Sequence, residues 1–178
     1  VTTDEGTFTM TLNGDSYSGA AITQEGAYTL HIAAVDSDGN ESEATVSFTI
    51  DKTVPVITVN GVADGDRLKL NKKVIVTWSC EDSLSGVESS SGDIASGGRL
   101  DTGTAGLHTL KFTASDEAGN TATVTVSYSV EYVFSGFLSP FVKTWITGSP
   151  VPVIFRLKDA NGSSVKNAAA KLYIARVE

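Results

Sequence analysis

Cysteine, histidine and long apolar runs are scarce in this sequence of 178 residues. Its one cysteine, Cys80, excludes an internal disulfide. No apolar run approaches the ~20 residues that a membrane-spanning helix needs, so we expect no membrane span in this segment. Cations are also few, because 13 Lys and Arg stand against 21 Asp and Glu. The net charge of -8 repels phosphate backbones, so we expect no nucleic-acid partner.

The usual signatures of catalysis are missing as well. The only histidines, His31 and His108, fall in different parts of the chain. No nucleophile elbow, zinc-binding helix motif or phosphate-binding glycine loop is present. Glu81 and Asp82 are adjacent, so a continuing strand would point them to opposite sides, and no other acidic pair is selected by its spacing. We therefore predict no catalytic and no cofactor-binding residues, and we expect that the segment is not an enzyme.

Abundant Thr, Ser and Val, together with 17 Gly, are typical of β-structure. Long amphipathic helical patterns are nearly absent, so the sequence predicts an all-β fold. An internal repeat is the strongest feature, because Gly26–Asp51 aligns without a gap with Gly106–Glu131 at an offset of 80, with ten identical positions. A repeat of this size, with several short strands per unit, indicates tandem β-sandwich modules.

Apolar and polar side chains alternate within each copy of the repeat. In the first copy one phase is apolar over residues 28–34 and again over 44–50. In the second copy the apolar phase runs over residues 110–114 and 124–130. The other phase is mostly Thr, Ser, Lys and His. This pattern predicts an antiparallel hairpin with an apolar inner face and a polar outer face.

The tip of the first hairpin, Asp36–Gly39, fits a type I turn. The carboxylate of Asp36 would accept a hydrogen bond from a backbone N–H group two residues on, and Gly39 would take a left-handed conformation. The second copy keeps Asp116 and its own glycine but has Ala118 where the first copy has a second aspartate. The residues that the two copies share are therefore those that a turn needs.

A calcium site is the alternative interpretation of this region. Calcium binds carboxylate oxygens, and the available ligands would be Asp36, Asp38 or Asp51, the last of which ends the first hairpin. The spacing of the EF-hand calcium loop is not met, because Gly39 follows Asp38 directly. The sequence therefore favours the turn, and it leaves a calcium-stiffened module junction as the second possibility.

Strand signals identify one complete module in residues 53–131. Pro55 marks an edge strand or linker exit at its start. Four further strand signals precede the hairpin and bring the total to about seven strands, the number of an immunoglobulin-like sandwich. These signals are "RLKL", "KVIVTWSCED", "SGVESSSG" and "GGRLDTG".

The two flanking segments are less complete. Residues 1–52 form a partial or reduced module, with a strand in "TFTMTL", a turn at Asn13-Gly14 and a strand near "AAIT" before the hairpin. By the offset of 80, we expect a complete first module to begin before Val1. Residues 132–178 open with an aromatic stretch and continue as strand, turn and strand up to Ile174. This partial module either continues beyond Glu178 or leans on the second module.

Three conspicuous side chains have simple structural interpretations. Cys80 shares the inward phase of its strand with Trp78, so both are predicted to lie in the core, with an inert thiol. Trp145 lies in the aromatic stretch, where it would form a contact between modules or, in the alternative, stack on a sugar ring.

The stretches "DKTVPVITV", "VTWSCEDSLSGVES" and "LDTGTAGLHTLKFTASDEAGNTATVTVSYSV" resemble the immunoglobulin-like, hyalin-repeat-like modules of bacterial secreted and cell-surface proteins. "GSPVPVIFRLKDANGSSV" is similar to the start of the PxKF module that often follows such repeats, with Ile154 where that pattern usually has Lys. The resemblance implies tandem immunoglobulin-like β-sandwiches and an extracellular or cell-surface location.

We therefore expect a non-catalytic spacer or presentation segment of a larger bacterial protein, whose partners are the neighbouring domains of the parent chain. The alternative is a carbohydrate-binding or adhesive module, stiffened by calcium or binding cell-wall or extracellular polysaccharide through Trp145.

Overall fold

The computed structural model describes residues 6–138 and 153–168, and within these ranges the fold is all-β, as predicted. More than half of the described residues lie in strands and none lies in a helix, so this part of the chain has no helix with the length and apolarity needed to cross a bilayer. The strands are β1 (Thr7–Leu12), β2 (Asp15–Ser16), β3 (Gly26–Val35), β4 (Glu41–Ile50), β5 (Val56–Asn60), β6 (Asp66–Lys69), β7 (Ile75–Glu81), β8 (Val87–Gly92), β9 (Gly98–Arg99), β10 (Gly106–Asp116), β11 (Thr121–Glu131), β12 (Val133–Phe137) and β13 (Phe155–Lys158).

The first four strands form one antiparallel sheet with the order β2-β1-β3-β4. The predicted turn at Asn13-Gly14 is present, with φ angles of 52° and 90° that suit a two-residue hairpin loop. Ile32 lies opposite Met10 on one side and Ala44 on the other. Since directly opposed residues point to the same face, the register places all the apolar side chains of the alternation on one face of this sheet.

The predicted strand near "AAIT" is wrong, because residues 20–23 lie outside any strand. The short strand β2 pairs with β1 instead, directly after the hairpin turn. The chain then leaves the sheet, and the carbonyl of Thr23 accepts a hydrogen bond from Lys52 Nζ at 2.5 Å rather than from a neighbouring strand. A run of three apolar residues and one threonine was too short to specify strand pairing.

The seven strands β5 to β11 occupy the segment that was predicted to hold about seven. They form a four-stranded sheet with the order β6-β11-β10-β8 and a three-stranded sheet with the order β5-β7-β9. β6 pairs with β11 in parallel, with Asp66 opposite Tyr128. β5 is an edge strand that directly follows Pro55, as the proline predicts.

The chain forms two compact units. The first contains the chain up to Thr58 together with Ser79–Ser91 and Phe112–Val124. Its most deeply buried side chains include Phe112 and Asp116, both fully shielded from solvent. A fully buried carboxylate requires hydrogen-bond partners, which makes the surroundings of Asp116 a natural place to look for a functional site.

The second unit contains the remaining described residues, and it holds most of the buried apolar side chains. The alternation predicted for the second hairpin is present across both units: its inner-phase residues are buried, except for the half-buried Val124, and their chain neighbours are more exposed. The buried apolar residues of this unit are Val62, Leu68, Leu70, Val74, Val76, Leu100, Leu110, Val126, Tyr128 and Val130.

Alternation along β7 confirms the predicted strand phase but corrects the predicted burial of its second half. Val76 is fully buried, whereas Trp78 and Cys80 are only half-buried. Trp78 donates its indole N–H to the carbonyl of Ile94 at 2.8 Å. Partial burial raises the pKa of the Cys80 thiol by desolvation.

The described part of the third segment is bonded to residues Leu70 and Asn71. β12 pairs with β13 in antiparallel fashion. The Asp159 carboxylate accepts a hydrogen bond from Asn71 Nδ2 at 3.0 Å, and the backbone N–H of Ala160 donates to the carbonyl of Leu70 at 2.8 Å. The strand predicted near Leu172 and Ile174 and the aromatic stretch over 139–150 lie outside the described residues.

The half-buried thiol gives a first prediction. We expect Cys80 to react with a disulfide reagent at pH 8 about tenfold or more slowly in the native protein than in denaturant, because the raised pKa leaves less thiolate and the strand restricts access. Stopped-flow absorbance at several pH values measures this rate. Equal native and denatured rates would show that the alternation of β7 does not shield the thiol.

Candidate functional site

Three aspartates from separate parts of the sequence come together in the first compact unit. Asp51 follows β4, Asp82 follows β7 and Asp116 ends β10. One carboxylate oxygen of each residue lies within 4.8 Å of the others. We call these three residues the aspartate triad. Of the sequence-predicted calcium ligands, the structure brings only Asp51 into this group.

The loop after β7 holds Asp82 in place. Asp82 Oδ1 accepts hydrogen bonds from the backbone N–H groups of Leu84, Ser85 and Gly86, at 3.1, 3.0 and 2.9 Å. Gly86 has a φ of 89°, a conformation that a side chain would strain. The local sequence Asp-Ser-Leu-Ser-Gly therefore curls around its own first carboxylate.

Asp51 uses the same loop as its partner. Its Oδ2 accepts the Ser85 hydroxyl at 2.6 Å and the Ser85 backbone N–H at 3.0 Å, and its Oδ1 accepts the Thr53 backbone N–H at 2.9 Å. The side chain is only 9% exposed. These hydrogen bonds, led by the one from the Ser85 hydroxyl, lower the pKa of Asp51 below its usual 3.8. The residue therefore carries its negative charge at neutral pH.

Asp116 is held by the turn that it begins. Its two carboxylate oxygens accept the backbone N–H and the side-chain amide of Asn120, both at 2.8 Å. The same side-chain amide also donates to the backbone carbonyl of Asp51 at 3.2 Å. Asn120 thus connects the tip of the second hairpin to the residue at which the first hairpin ends.

The triad brings three carboxylates together, and none of them forms an ion pair with a described side chain. The described ion pairs are His31–Glu43 and Arg67–Glu131, and neither involves a triad residue. Backbone N–H groups, one hydroxyl and one amide offset the negative charge instead. Carboxylate oxygens at this spacing are also what a calcium ion prefers, so Asp51, Asp82 and Asp116 are the described residues that could hold a metal.

The tip of the first hairpin forms the predicted turn. The Gly39 backbone N–H donates to the Asp36 carbonyl at 3.2 Å, and Gly39 has a φ of 83°. Asp36 Oδ1 accepts the backbone N–H groups of Asp38 and Asn40 at 2.9 and 2.8 Å, and its Oδ2 accepts the Asn40 amide at 2.6 Å. The Asn40 side chain is the main cause of a lowered pKa at Asp36.

The same turn occurs three times in the chain. The second copy repeats it at Asp116, and the third segment repeats it at Asp159, where the predicted turn is present. Asp159 Oδ1 accepts the backbone N–H groups of Asn161 and Ser163, both at 2.9 Å. Two residues after the turn aspartate, the three copies have Asp38, Ala118 and Asn161. Because this side chain differs between the copies, the turn does not need it.

The remaining candidate residues do not join the triad. Asp38 lies at the exposed tip of the first hairpin. Trp145, the predicted sugar-stacking residue, lies outside the described residues. His31 faces Glu43 at 3.3 Å on the polar face of the first sheet, and His108 stacks on Tyr128 with ring centroids 5.1 Å apart. The two histidines therefore have separate structural surroundings.

Sequence reasoning missed Asp82, Ser85 and Asn120. Asp82 was considered only as a neighbour of Glu81, and Asn120 only as an identity within the repeat. A usable signal was the immunoglobulin-like sandwich that the sequence resemblance implies. In an immunoglobulin-like sandwich the loop after the second strand and the loop between the last two strands lie at the same end. Those two loops contain Asp82 and Asp116, and the chain that enters the first strand at that end contains Asp51.

Comparison with known proteins provides no further assignment. No model of a known protein family matches the sequence, and no curated protein is significantly similar to it. The functional argument therefore depends on the geometry of the described residues.

The hairpin-tip turns give a second prediction. Asp116→Ala should lower the free energy of unfolding by about 1–3 kcal/mol, because it leaves the half-buried backbone N–H of Asn120 without its acceptor and removes one acceptor of the Asn120 amide. Asp36→Ala should also destabilise the protein, but less, since the same bonds are nearer to solvent there. Asp38→Ala is the matched control and should change stability by less than about 0.5 kcal/mol. Chemical denaturation of the three variants measures these differences.

The pH dependence of these variants provides a second measurement. The folded-state pKa of Asp36 is lowered, so its stabilising contribution is present above the usual pKa of 3.8 and is lost as the pH falls below it. The stability difference between wild type and Asp36→Ala should therefore shrink from pH 7 to pH 2. A constant difference, or an Asp38→Ala effect equal to that of Asp36→Ala, would contradict the turn as the role of Asp36.

Proposed function

We propose that this chain is a non-catalytic spacer or presentation segment of a larger bacterial extracellular or cell-surface protein. In this proposal, immunoglobulin-like β-sandwich modules in series hold neighbouring domains of the parent chain at a fixed separation. The observation that carries it is the junction after β4. There, Asp51 accepts hydrogen bonds from Ser85 and Asn120, which lie in two loops of the proposed second module. The next two residues, Lys52 and Thr53, are bonded to Glu25 of the first segment.

Strand order supports the immunoglobulin-like part of the proposal. Such a sandwich has strands A, B and E in one sheet and strands C, F and G in the other. The sheet β5-β7-β9 corresponds to A-B-E, and β11-β10-β8 corresponds to G-F-C. The order β1-β3-β4 in the first sheet matches β8-β10-β11, whose residues lie 80 positions later. The two modules are therefore proposed to be copies of one architecture.

The hydrogen bonds around the junction support stiffness. Glu25 Oε1 accepts the backbone N–H of Lys52 at 2.5 Å and the hydroxyl of Thr53 at 3.0 Å. With the bonds from Ser85 and Asn120 to Asp51, three successive junction residues have protein partners. A flexible linker would instead be rich in glycine and serine and would leave its backbone groups to water. A spacer has to resist bending at this point, and these contacts provide the resistance.

A second proposed junction, at Asp159, is also held by hydrogen bonds to a loop of the complete module. The Asp159 carboxylate accepts the Asn71 amide, and hydrogen bonding to Asn71 is the main cause of the lowered pKa of Asp159. The N–H of Ala160 next to it donates to the Leu70 carbonyl. Both described junctions thus use an aspartate that keeps its charge at neutral pH and is bonded to a loop of the complete module. This repetition favours a role in holding modules in series.

Limited proteolysis tests the stiffness of the first junction. Trypsin can cleave after Lys52, and a junction held by these hydrogen bonds should resist cleavage there. Asp51→Ala should increase the rate of cleavage at Lys52 by about tenfold or more, since it removes the acceptor of the Ser85 and Thr53 bonds and local opening exposes the site. Mass spectrometry of timed digests identifies the cleaved bond.

The control is Asp38→Ala, which changes an aspartate in the same sheet without touching the junction. Its cleavage rate at Lys52 should equal that of wild type. Rapid cleavage of wild type at Lys52 would show a flexible linker and would contradict the spacer. Retention of wild type on an insoluble polysaccharide would favour the carbohydrate-binding alternative instead, for which no described side chain yet provides a site.

A cation-stiffened junction is the second candidate function. It is favoured by one observation, the approach of three carboxylates to within 4.8 Å at the end of the first module. A divalent cation would neutralise their mutual repulsion and connect Asp51 to the two loops of the second module. It would have to share oxygens that already accept hydrogen bonds, such as Asp51 Oδ2 and Asp82 Oδ1.

Thermal unfolding in calcium and in chelator tests this candidate. Binding to the folded state alone would add RT ln(1 + [Ca²⁺]/Kd) to stability, about 2.7 kcal/mol at a hundredfold excess over Kd. Under the second candidate, Asp82→Asn should abolish the gain and Asp38→Asn should retain it. Loss of the gain in Asp38→Asn alone would place the ion at the first hairpin tip. Equal melting temperatures of wild type in calcium and chelator would contradict cation binding and leave the spacer proposal unaffected.

A further inference from the structure

One face of the first sheet is apolar and open to solvent. Phe8, on β1, is 66% exposed, and Val46, on β4, is 56% exposed. None of residues 6–50, all of which the structure describes, is buried. The apolar face consists of Phe8, Met10, Leu12, Tyr28, Leu30, Ile32, Ala34, Ala44, Val46, Phe48 and Ile50. An apolar surface of this extent marks a place where something else binds.

The second copy of the repeat shows what the same positions become in a complete module. Val126, the counterpart of Val46 at the offset of 80, is only 5% exposed. Phe112, the counterpart of Ile32, is fully buried. The two copies have the same alternation and the same turn, so their hairpins do not differ locally. The difference in burial must come from chain outside the hairpin.

The chain ahead of the second copy supplies that additional structure. Strands β5, β6 and β7 all precede β8 in the complete module. Their segment contributes the buried apolar side chains Leu68, Leu70, Val74 and Val76. The first copy has a strand in the place of β8, namely β1, but no described strand precedes it. At the offset of 80, Gly6 corresponds to Gly86, the residue that directly follows Ser85.

We propose that the open face of the first sheet is the docking surface for a β-layer of the same pattern as Val54–Ser85. This inference rests on the proposed sandwich architecture and goes beyond the spacer role. The occupant is an alternating strand layer with an apolar inner phase, because only such a layer matches a flat face whose polar and apolar residues alternate by strand period. Its side chains would fill the spaces above Leu30, Ile32 and Val46.

A chimera tests the proposal directly. A second copy of residues Val54–Ser85 is placed directly ahead of Gly6, in the place of residues 1–5. The rest of the chain is unchanged. We expect the unmodified chain to bind an apolar fluorescent dye, and we expect the chimera to lose most of that fluorescence. Hydrogen exchange of the β3 and β4 amides should slow by about tenfold or more in the chimera, because they become part of a two-layer module.

A second chimera guards against a poor fit between the added layer and the first sheet. It carries the substitutions Tyr28→His, Ile32→Phe, Ala44→Val, Phe48→Tyr and Ile50→Val, which make the inner phase of the first hairpin identical to that of the second. A matched control carries Val74→Asp and Val76→Asp in the added copy only, and should behave like the unmodified chain. If neither chimera loses dye binding or gains protection, the proposal is wrong.

Sedimentation of the unmodified chain separates the remaining outcomes. A monomer that binds dye supports the proposal. A dimer that Leu30→Asp dissociates would show that a second copy covers the face, and would overturn it. Protection of β3 and β4 equal to that of β10 and β11 in the unmodified monomer would also overturn it. None of these results depends on cleavage at Lys52, so failure here is distinguishable from failure of the spacer proposal.

Discussion

The hydrogen bonds between a hairpin-tip aspartate and its own turn determine the register on which the rest of this structure depends. A shift of one residue would exchange the inner and outer faces of both strands. Asp36 and Asp116 prevent that shift, because each accepts the N–H of the asparagine four residues on and so closes the turn in one geometry. The apolar face, the polar face and the position of every cross-strand pair follow from that closure.

The second turn makes a contact with a distant part of the chain in addition to closing its own hairpin. In both copies the asparagine amide binds the carboxylate of the turn aspartate, at 2.6 Å from Asn40 and at 2.8 Å from Asn120. In the second copy the same amide also reaches the backbone carbonyl of Asp51. Asn120 therefore connects its own turn to the residue that follows β4, and the buried Asp116 orients the donor that makes this contact.

Much of the fold could be predicted from the sequence because strands and tight turns are specified locally. The seven strands of residues 53–131 and all three aspartate turns were predicted from alternation and turn chemistry. The prediction of a strand near "AAIT" was wrong, because no adjacent turn fixes a pairing strand for these four residues. The triad could not be predicted from spacing, since Asp51, Asp82 and Asp116 are far apart in the sequence and come together only in the folded chain. The predicted burial of Cys80 was too deep, because strand phase indicates the face to which a side chain points but not how much of that side chain is covered.

The contrast between the two hairpins shows where local specification ends. Leu30 and Leu110 occupy the same position of the same pattern, yet Leu110 is buried and Leu30 is not. Alternation along a strand indicates which face is apolar. The stabilising free energy comes only when a second layer removes the apolar area of that face from water. A sheet of three or four strands with one apolar face therefore needs a second layer against that face to complete its core. The repeat makes this visible within one chain, because it places the covered and the open version of one hairpin 80 residues apart.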